Sequence, residues 1–146
     1  MNERRIGAYG GTFDPLHNGH LEAARRVVSR FALDQLLVIP AYRPPHKTGL
    51  AISTGYHRYA MAVLATLEEP RMRVSRLELE APSKPYTFET LAQLRSVYDS
   101  PTGLFFVMGA DSFAELHTWR APERILATAN LIVVGRPGFE MQTRHL

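Results

Sequence analysis

The chain contains no cysteine, one tryptophan, and no apolar stretch approaching the ~20 residues needed to span a bilayer. Without cysteine there is no disulfide framework and no thiolate metal site, which suits a cytoplasmic protein. No signal peptide is expected, because the charged residues after Met1 are followed by only a short apolar run. Charge of one sign is also scarce: 17 Lys and Arg against 14 Asp and Glu leave a net +3. The basic residues are scattered rather than interleaved with aromatics, so nucleic acid is not expected as a partner, while a pI near 9.5 fits small acidic substrates. Repeats and low-complexity segments are missing too. What remains is 45% hydrophobic and 146 residues long, enough for one domain, residues 1–146, with an ordinary core.

The chain is organised around the stretch from Gly10 to Leu21, which follows the apolar run Ile6 to Tyr9. Gly10 and Gly11, lacking Cβ atoms, let the backbone turn sharply and approach a ligand, as phosphate loops require. Asp14-Pro15 is a turn pair. Asn18-Gly19 marks a helix start with Asn18 as its cap, and Leu21, Ala24, Val27, Val28 and Phe31 continue at helical spacing. His17 and His20 then flank the helix N-terminus, where partial positive charge favours an anion. Two readings of these residues stay open. The stretch is a phosphate site built from the Gly10-Gly11 backbone, the helix N-terminus, His17 and His20, or it is a tight strand-to-helix turn carrying ordinary polar histidines. A zinc pair is disfavoured, since no cysteine and no second His cluster supplies a third ligand.

Gln35 to Pro40 reads as a fully covered parallel strand, so a right-handed β-α-β crossover is complete by Pro40. Arg43-Pro44-Pro45-His46-Lys47 then places basic groups at a strand's carboxyl end, where open α/β sheets bind ligands; a solvated basic loop is the plainer reading. A helix over 53–69 is expected, capped by Ser53, with Tyr56, Tyr59, Ala60, Val63, Leu64 and Leu67 as its apolar stripe and His57 and Arg58 as surface residues. Residues 72–80 read as an edge strand. Thr87 is placed to cap a helix through Leu91, Leu94 and Val97, with Glu89 in its first turn. Leu104 to Met108 is a central strand ending in a loop at Gly109-Ala110-Asp111, and Leu131 to Val134 is the last strand. Trp119, flanked by His117, Thr118 and Arg120, is expected to be half-exposed. These elements predict a doubly wound α/β domain of Rossmann type with about five mostly parallel strands.

Gly10-Gly11-Thr12-Phe13-Asp14-Pro15-Leu16-His17-x-Gly19-His20 resembles the signature of the nucleotidylyltransferase superfamily, in the form found in nicotinate mononucleotide adenylyltransferases. Pro44-Pro45-His46-Lys47, Tyr86-Thr87-x-Glu89-Thr90-Leu91, Gly109-Ala110-Asp111, Thr118-Trp119 and Arg136-Pro137-Gly138 extend the resemblance over nearly the whole chain. Pro85 and Glu89 stand where the family has Ser and Asp. The resemblance implies transfer of AMP from ATP to nicotinate mononucleotide. It further implies His17, His20 and Lys47 as the charge-stabilising residues, and an ATP site of Gly10, Gly11, Thr12, Phe13, His17, His20, Gly109, Asp111 and Arg136. The mononucleotide would take Thr12, His46, Lys47, Tyr86, Thr87 and Trp119, with Trp119 stacked on the pyridine ring. Mg²⁺ would arrive with ATP, with no resident metal. The family continues into an Ile-Ser-x-Thr-x-Ile-Arg element that this chain does not contain, so the domain is expected to be C-terminally short relative to it. Three further matters stay open: whether pantetheine phosphate is the acceptor instead, whether the domain binds nucleotides without turnover, and whether it forms a homo-oligomer.

Overall fold

The computed structural model describes residues 3–42, 54–135 and 142–144, the last three as backbone only. Among the described residues six strands form one sheet: β1 (Arg5–Gly11), β2 (Gln35–Pro40), β3 (Met72–Val74), β4 (Gly103–Gly109), β5 (Asn130–Val134) and β6 (Gln142–Arg144). Their order is β3-β2-β1-β4-β5-β6, with the first five parallel and β6 antiparallel to β5. The helices are α1 (Asn18–Arg30), α2 (Gly55–Ala65), α3 (Thr87–Val97), α4 (Ala110–Ala114) and α5 (Pro122–Thr128).

The continuous apolar runs follow from covering both faces of a parallel sheet, since alternate residues serve opposite layers. Ile6, Ala8, Leu37, Ile39, Leu104, Phe106, Leu131 and Val133 pack with Leu91 and Leu94 of α3 and Ile125 of α5. Leu36, Phe105, Val107 and Ile132 pack on the other side against Ala24 and Val27 of α1. Val38 meets Leu21 of α1 and Ala62 of α2. From β1 the chain winds outward to β2 and β3, then returns to β4 on β1's other side. The crevice where winding reverses lies between the carboxyl ends of β1 and β4, where such sheets bind ligands.

Several expectations are corrected. The cap of α1 is His17 rather than Asn18, because its imidazole reaches the Gly19 N–H at 3.0 Å. Thr54, not Ser53, caps α2, its hydroxyl accepting from the His57 N–H; Ser53 lies outside the described residues. The expected stripe of α2 largely faces outward, with Tyr56, Leu64 and Leu67 between 59% and 71% exposed, while Arg58 and Ala62 are buried. Strand β3 stops at Val74, because Ser75 Oγ accepts from the Leu77 N–H and a helical turn from Arg76 to Glu80 follows. Tyr86 is the residue before α3, and its N–H donates to Glu89 Oε1, so Thr87 is the first helical residue instead of the cap. Asp111 sits in the first turn of α4, not in a loop.

Candidate active site

At the end of β1 the chain turns through Phe13, whose φ of +49° lies in the left-handed region that aromatic residues rarely adopt. Burial compensates: the Phe13 ring is 4% exposed and meets Tyr9 and His20 edge-on, at 5.4 and 5.1 Å between centroids. It lies so close under Gly11 that a Cβ there would come within 2.9 Å of the ring. Gly11 is therefore required by packing against that ring.

The two histidines interlock. Nδ1 of His17 accepts from the Gly19 N–H at 3.0 Å, and Nδ1 of His20 accepts from the His17 N–H at 3.1 Å. Their rings lie 3.8 Å apart, tilted by 30°. A Cβ on Gly19 would approach His17 Cε1 to 2.9 Å, so the glycine between the histidines makes room for the capping ring. An imidazole nitrogen that accepts carries no proton, so each neutral ring holds its proton on Nε2 and presents one N–H donor. Burial, and secondarily the neighbouring His17, push the His20 pKa below its ordinary 6.5 and keep that ring neutral. The backbone N–H groups of His17 and Gly19 are thus occupied, and what the helix start offers an anion includes two imidazole donors.

Beside this loop a cavity of about 250 Å³ opens at the crevice between β1 and β4. Gly10, Gly11, Thr12, Thr87, Gly109 and Trp119 all line it, which unites residues spread over more than a hundred positions of sequence. A Cβ on Gly109 would meet nothing within 4 Å, so that backbone faces open space. Trp119 is half-buried, its ring 6.4 Å from Phe106, with one side against the core. His17 and His20 stand at the loop without lining the cavity. Tyr86 is 48% exposed, beneath the Arg120 guanidinium at 5.0 Å, and Asp111 is exposed; neither lines the cavity. His46, Lys47 and Arg136 lie outside the described residues.

Three residues that sequence reasoning passed over shape this site. Arg58, read as a surface residue, is 1% exposed and donates to the Thr12 carbonyl at 2.6 Å and the Ala41 carbonyl at 2.9 Å. Glu78 lines the cavity, accepts from the Thr90 hydroxyl at 2.9 Å and the Tyr42 N–H at 3.4 Å, and has its pKa pushed upward by burial. Thr90 is itself buried. The one available signal was that Arg58 interrupts an apolar helical run; nothing local distinguishes Glu78 from the charged residues around it.

Residues 8–145 match the family model described as Cytidylyltransferase-like. The chain is 40% identical to a probable nicotinate-nucleotide adenylyltransferase of Thermoanaerobacter sp. (strain X514), over 94% of this chain and 65% of that protein. It is 44% identical to one of Thermus thermophilus, over 97% of this chain and 75% of that protein. The chain thus spans about two thirds to three quarters of the length of these relatives. Its fold matches a Plasmodium falciparum nicotinic acid mononucleotide adenylyltransferase complexed with NaAD, with a TM-score of 0.81, 17% identity, and coverage of 96% of this chain and 68% of that one.

Proposed function

The chain belongs to the cytidylyltransferase-like family, among the nicotinate-nucleotide adenylyltransferases, and from that premise we propose that it transfers AMP from ATP to the phosphate of nicotinate mononucleotide. A phosphate oxygen of the mononucleotide attacks the α-phosphorus, the bond from that phosphorus to the β-phosphate oxygen breaks, and pyrophosphate leaves with the electron pair. The products are deamido-NAD and pyrophosphate. An acceptor phosphate is already nucleophilic at neutral pH, so catalysis reduces to positioning and charge stabilisation.

The observation that carries this reading is the joining of Thr87 and Trp119 to Gly10, Gly11 and Thr12 around one cavity, beside two histidines presenting N–H donors. In this reading the mononucleotide sits on Trp119 and Thr87, and Tyr86, next to Thr87 in the chain, also contacts it. Gly10 to Phe13, Gly109, Asp111 and Arg136 hold ATP, while His17 and His20 donate to the charge that develops on its phosphates. His46 and Lys47 would add positive charge from the segment after β2.

Nucleotidyltransferases generally use a divalent metal with the nucleotide, and here we read it as Mg²⁺. Among the described residues no group of three or more metal-ligating side chains is assembled. In this reading the ion arrives with the triphosphate that carries it. Among the described residues no helix is long and apolar enough to cross a membrane. Action in the cytoplasm, on small nucleotides, is part of the same proposal.

The test is pyrophosphate release from ATP with nicotinate mononucleotide, nicotinamide mononucleotide or pantetheine phosphate as acceptor. Release with the first far above the last supports the assignment. Preference for pantetheine phosphate, or nucleotide binding without turnover, overturns it.

A further inference from the structure

Resting on that functional reading, we propose that the peptide group between Ala41 and Tyr42 couples the two substrate half-sites, so that ATP and the acceptor mononucleotide tighten each other's binding. The carbonyl of Ala41 and the N–H of Tyr42 belong to one peptide plane and point in opposite directions. Arg58 holds the oxygen at 2.9 Å and Glu78 takes the N–H at 3.4 Å. A single peptide is thus gripped on both edges, by a cation on its oxygen and a carboxyl on its hydrogen. The two partners polarise it in the same sense, and each strengthens the other's bond.

Both grips continue into the site. The other arm of the Arg58 guanidinium holds the Thr12 carbonyl at 2.6 Å, fixing the loop that follows Gly10 and Gly11. The second oxygen of Glu78 accepts from Thr90 at 2.9 Å. Thr90 lies one turn beyond Thr87 on α3, and both line the cavity, so this bond sets the rotation of the helix that presents Thr87. A continuous chain of hydrogen bonds therefore runs from the phosphate loop through Arg58, one peptide, Glu78 and Thr90 to the acceptor wall. Its longest link is the 3.4 Å contact at Tyr42, which has the most room to shorten when a ligand orders either end. Shortening it from one side lowers the ordering needed on the other. Such coupling is reciprocal by thermodynamic necessity.

Arg58 and Glu78 are positioning residues in this scheme, so the test must read coupling rather than stability. Binding of nicotinate mononucleotide is titrated through the fluorescence of Trp119, with and without saturating α,β-methylene-ATP, whose methylene blocks cleavage at the α-phosphorus. In the wild-type chain the analogue should tighten mononucleotide binding by about fivefold or more, within the usual range for coupled sites. Arg58→Lys keeps the charge but cannot reach both carbonyls. Glu78→Gln keeps the shape but loses the charge, and Thr90→Val removes only the far bond. Each should bring the ratio to within about twofold of unity, a loss of the wild-type coupling, with native circular dichroism and whatever change in Tm it brings.

A purely structural role would lower Tm and leave the ratio where it is. A wild-type ratio of one, or a full ratio retained in all three variants, overturns the coupling alone. If the wild-type chain binds neither nucleotide, the functional reading falls and takes the coupling with it.

Discussion

Helices α1 and α2 cover the same side of the sheet, yet they are built with opposite polarity. In α1 the inward face carries Leu21, Ala24 and Val27, all buried, and Arg26 and Arg30 point to solvent. In α2 the inward positions are Arg58 and Ala62, followed by Thr66 at the C-cap, while Tyr56, Leu64 and, just past the helix, Leu67 are exposed. The difference follows from what lies beneath. Helix α1 spans the middle of the sheet, where strand backbones satisfy one another and only apolar side chains are presented. The start of α2 lies across the carboxyl ends of β1 and β2, where the Thr12 and Ala41 carbonyls have left the ladder and need donors. An arginine meets both at once, so a buried cation does there what valine does elsewhere.

The largest effect is expected where that logic is removed outright. Arg58→Met preserves the bulk but leaves two carbonyls without their donor, at about 1 to 3 kcal/mol each, and should lower unfolding free energy by about 3 to 4 kcal/mol. Urea denaturation measures it. A loss below about 1 kcal/mol, less than one orphaned carbonyl should cost, would show that water replaces the guanidinium and that the polarity of α2 has another cause.

The start of α1 provides the contrasting test, since the role proposed for it is chemical. His20→Ala should lower kcat by about 10²-fold or more, the scale of one lost electrostatic stabiliser. Its structural cost should be about 1 kcal/mol, because His20 Nδ1 also accepts from the His17 N–H. Near-normal kcat in a folded variant would remove His20 from the reaction. Together the two substitutions separate a helix that holds the site in place from one proposed to act within it.

A milder pair sharpens the comparison along the helices' length. Val27→Ala removes two buried methyl groups from the α1 face and should cost about 2 kcal/mol. Leu64→Lys, on the exposed face of α2, should stay within about 0.5 kcal/mol. A loss at Leu64 equal to that at Val27 would mean that the outward stripe of α2 is covered in solution.

The same contrast explains what could be read from sequence. Strands β1, β2, β4 and β5 and the body of α1 were legible because their inward faces are apolar, so periodicity and burial agree, whereas β3 was read too long and β6, three polar residues, was not read as a strand. The loop after β1 was legible as a strand-to-helix turn because Gly10, Gly11, His17, Gly19 and His20 lie close together in sequence and each has a local reason to be what it is. Helix α2 was misread because periodicity records which residues are apolar, not which side the sheet is on, and here unsatisfied carbonyls outweighed the stripe. The walls of the cavity were beyond local reasoning altogether. Glu78 and Thr90 acquire meaning only when the turn after β3 meets α3, and the cap at His17 only when its imidazole folds back over Gly19.

The smallest expected effects are opposing drifts of stability with pH, one from each region. His20 has a folded pKa below 6.5, so as pH falls from about 6.5 the unfolded chain takes up the proton first and stability declines. Glu78 has a folded pKa above 4.5, so as pH rises from about 4.5 the unfolded chain releases its proton first and stability declines in that direction. His20→Asn, which does not titrate, should therefore gain on the wild type as pH is lowered through 6.5. Glu78→Gln should gain on it as pH is raised above 4.5. Tm followed from about pH 4.5 to about pH 8 in the three proteins checks both signs. Curves that run parallel throughout would mean that neither group changes its proton affinity on folding, and that burial withdraws neither the His20 ring nor the Glu78 carboxyl from water enough to disfavour its charged form.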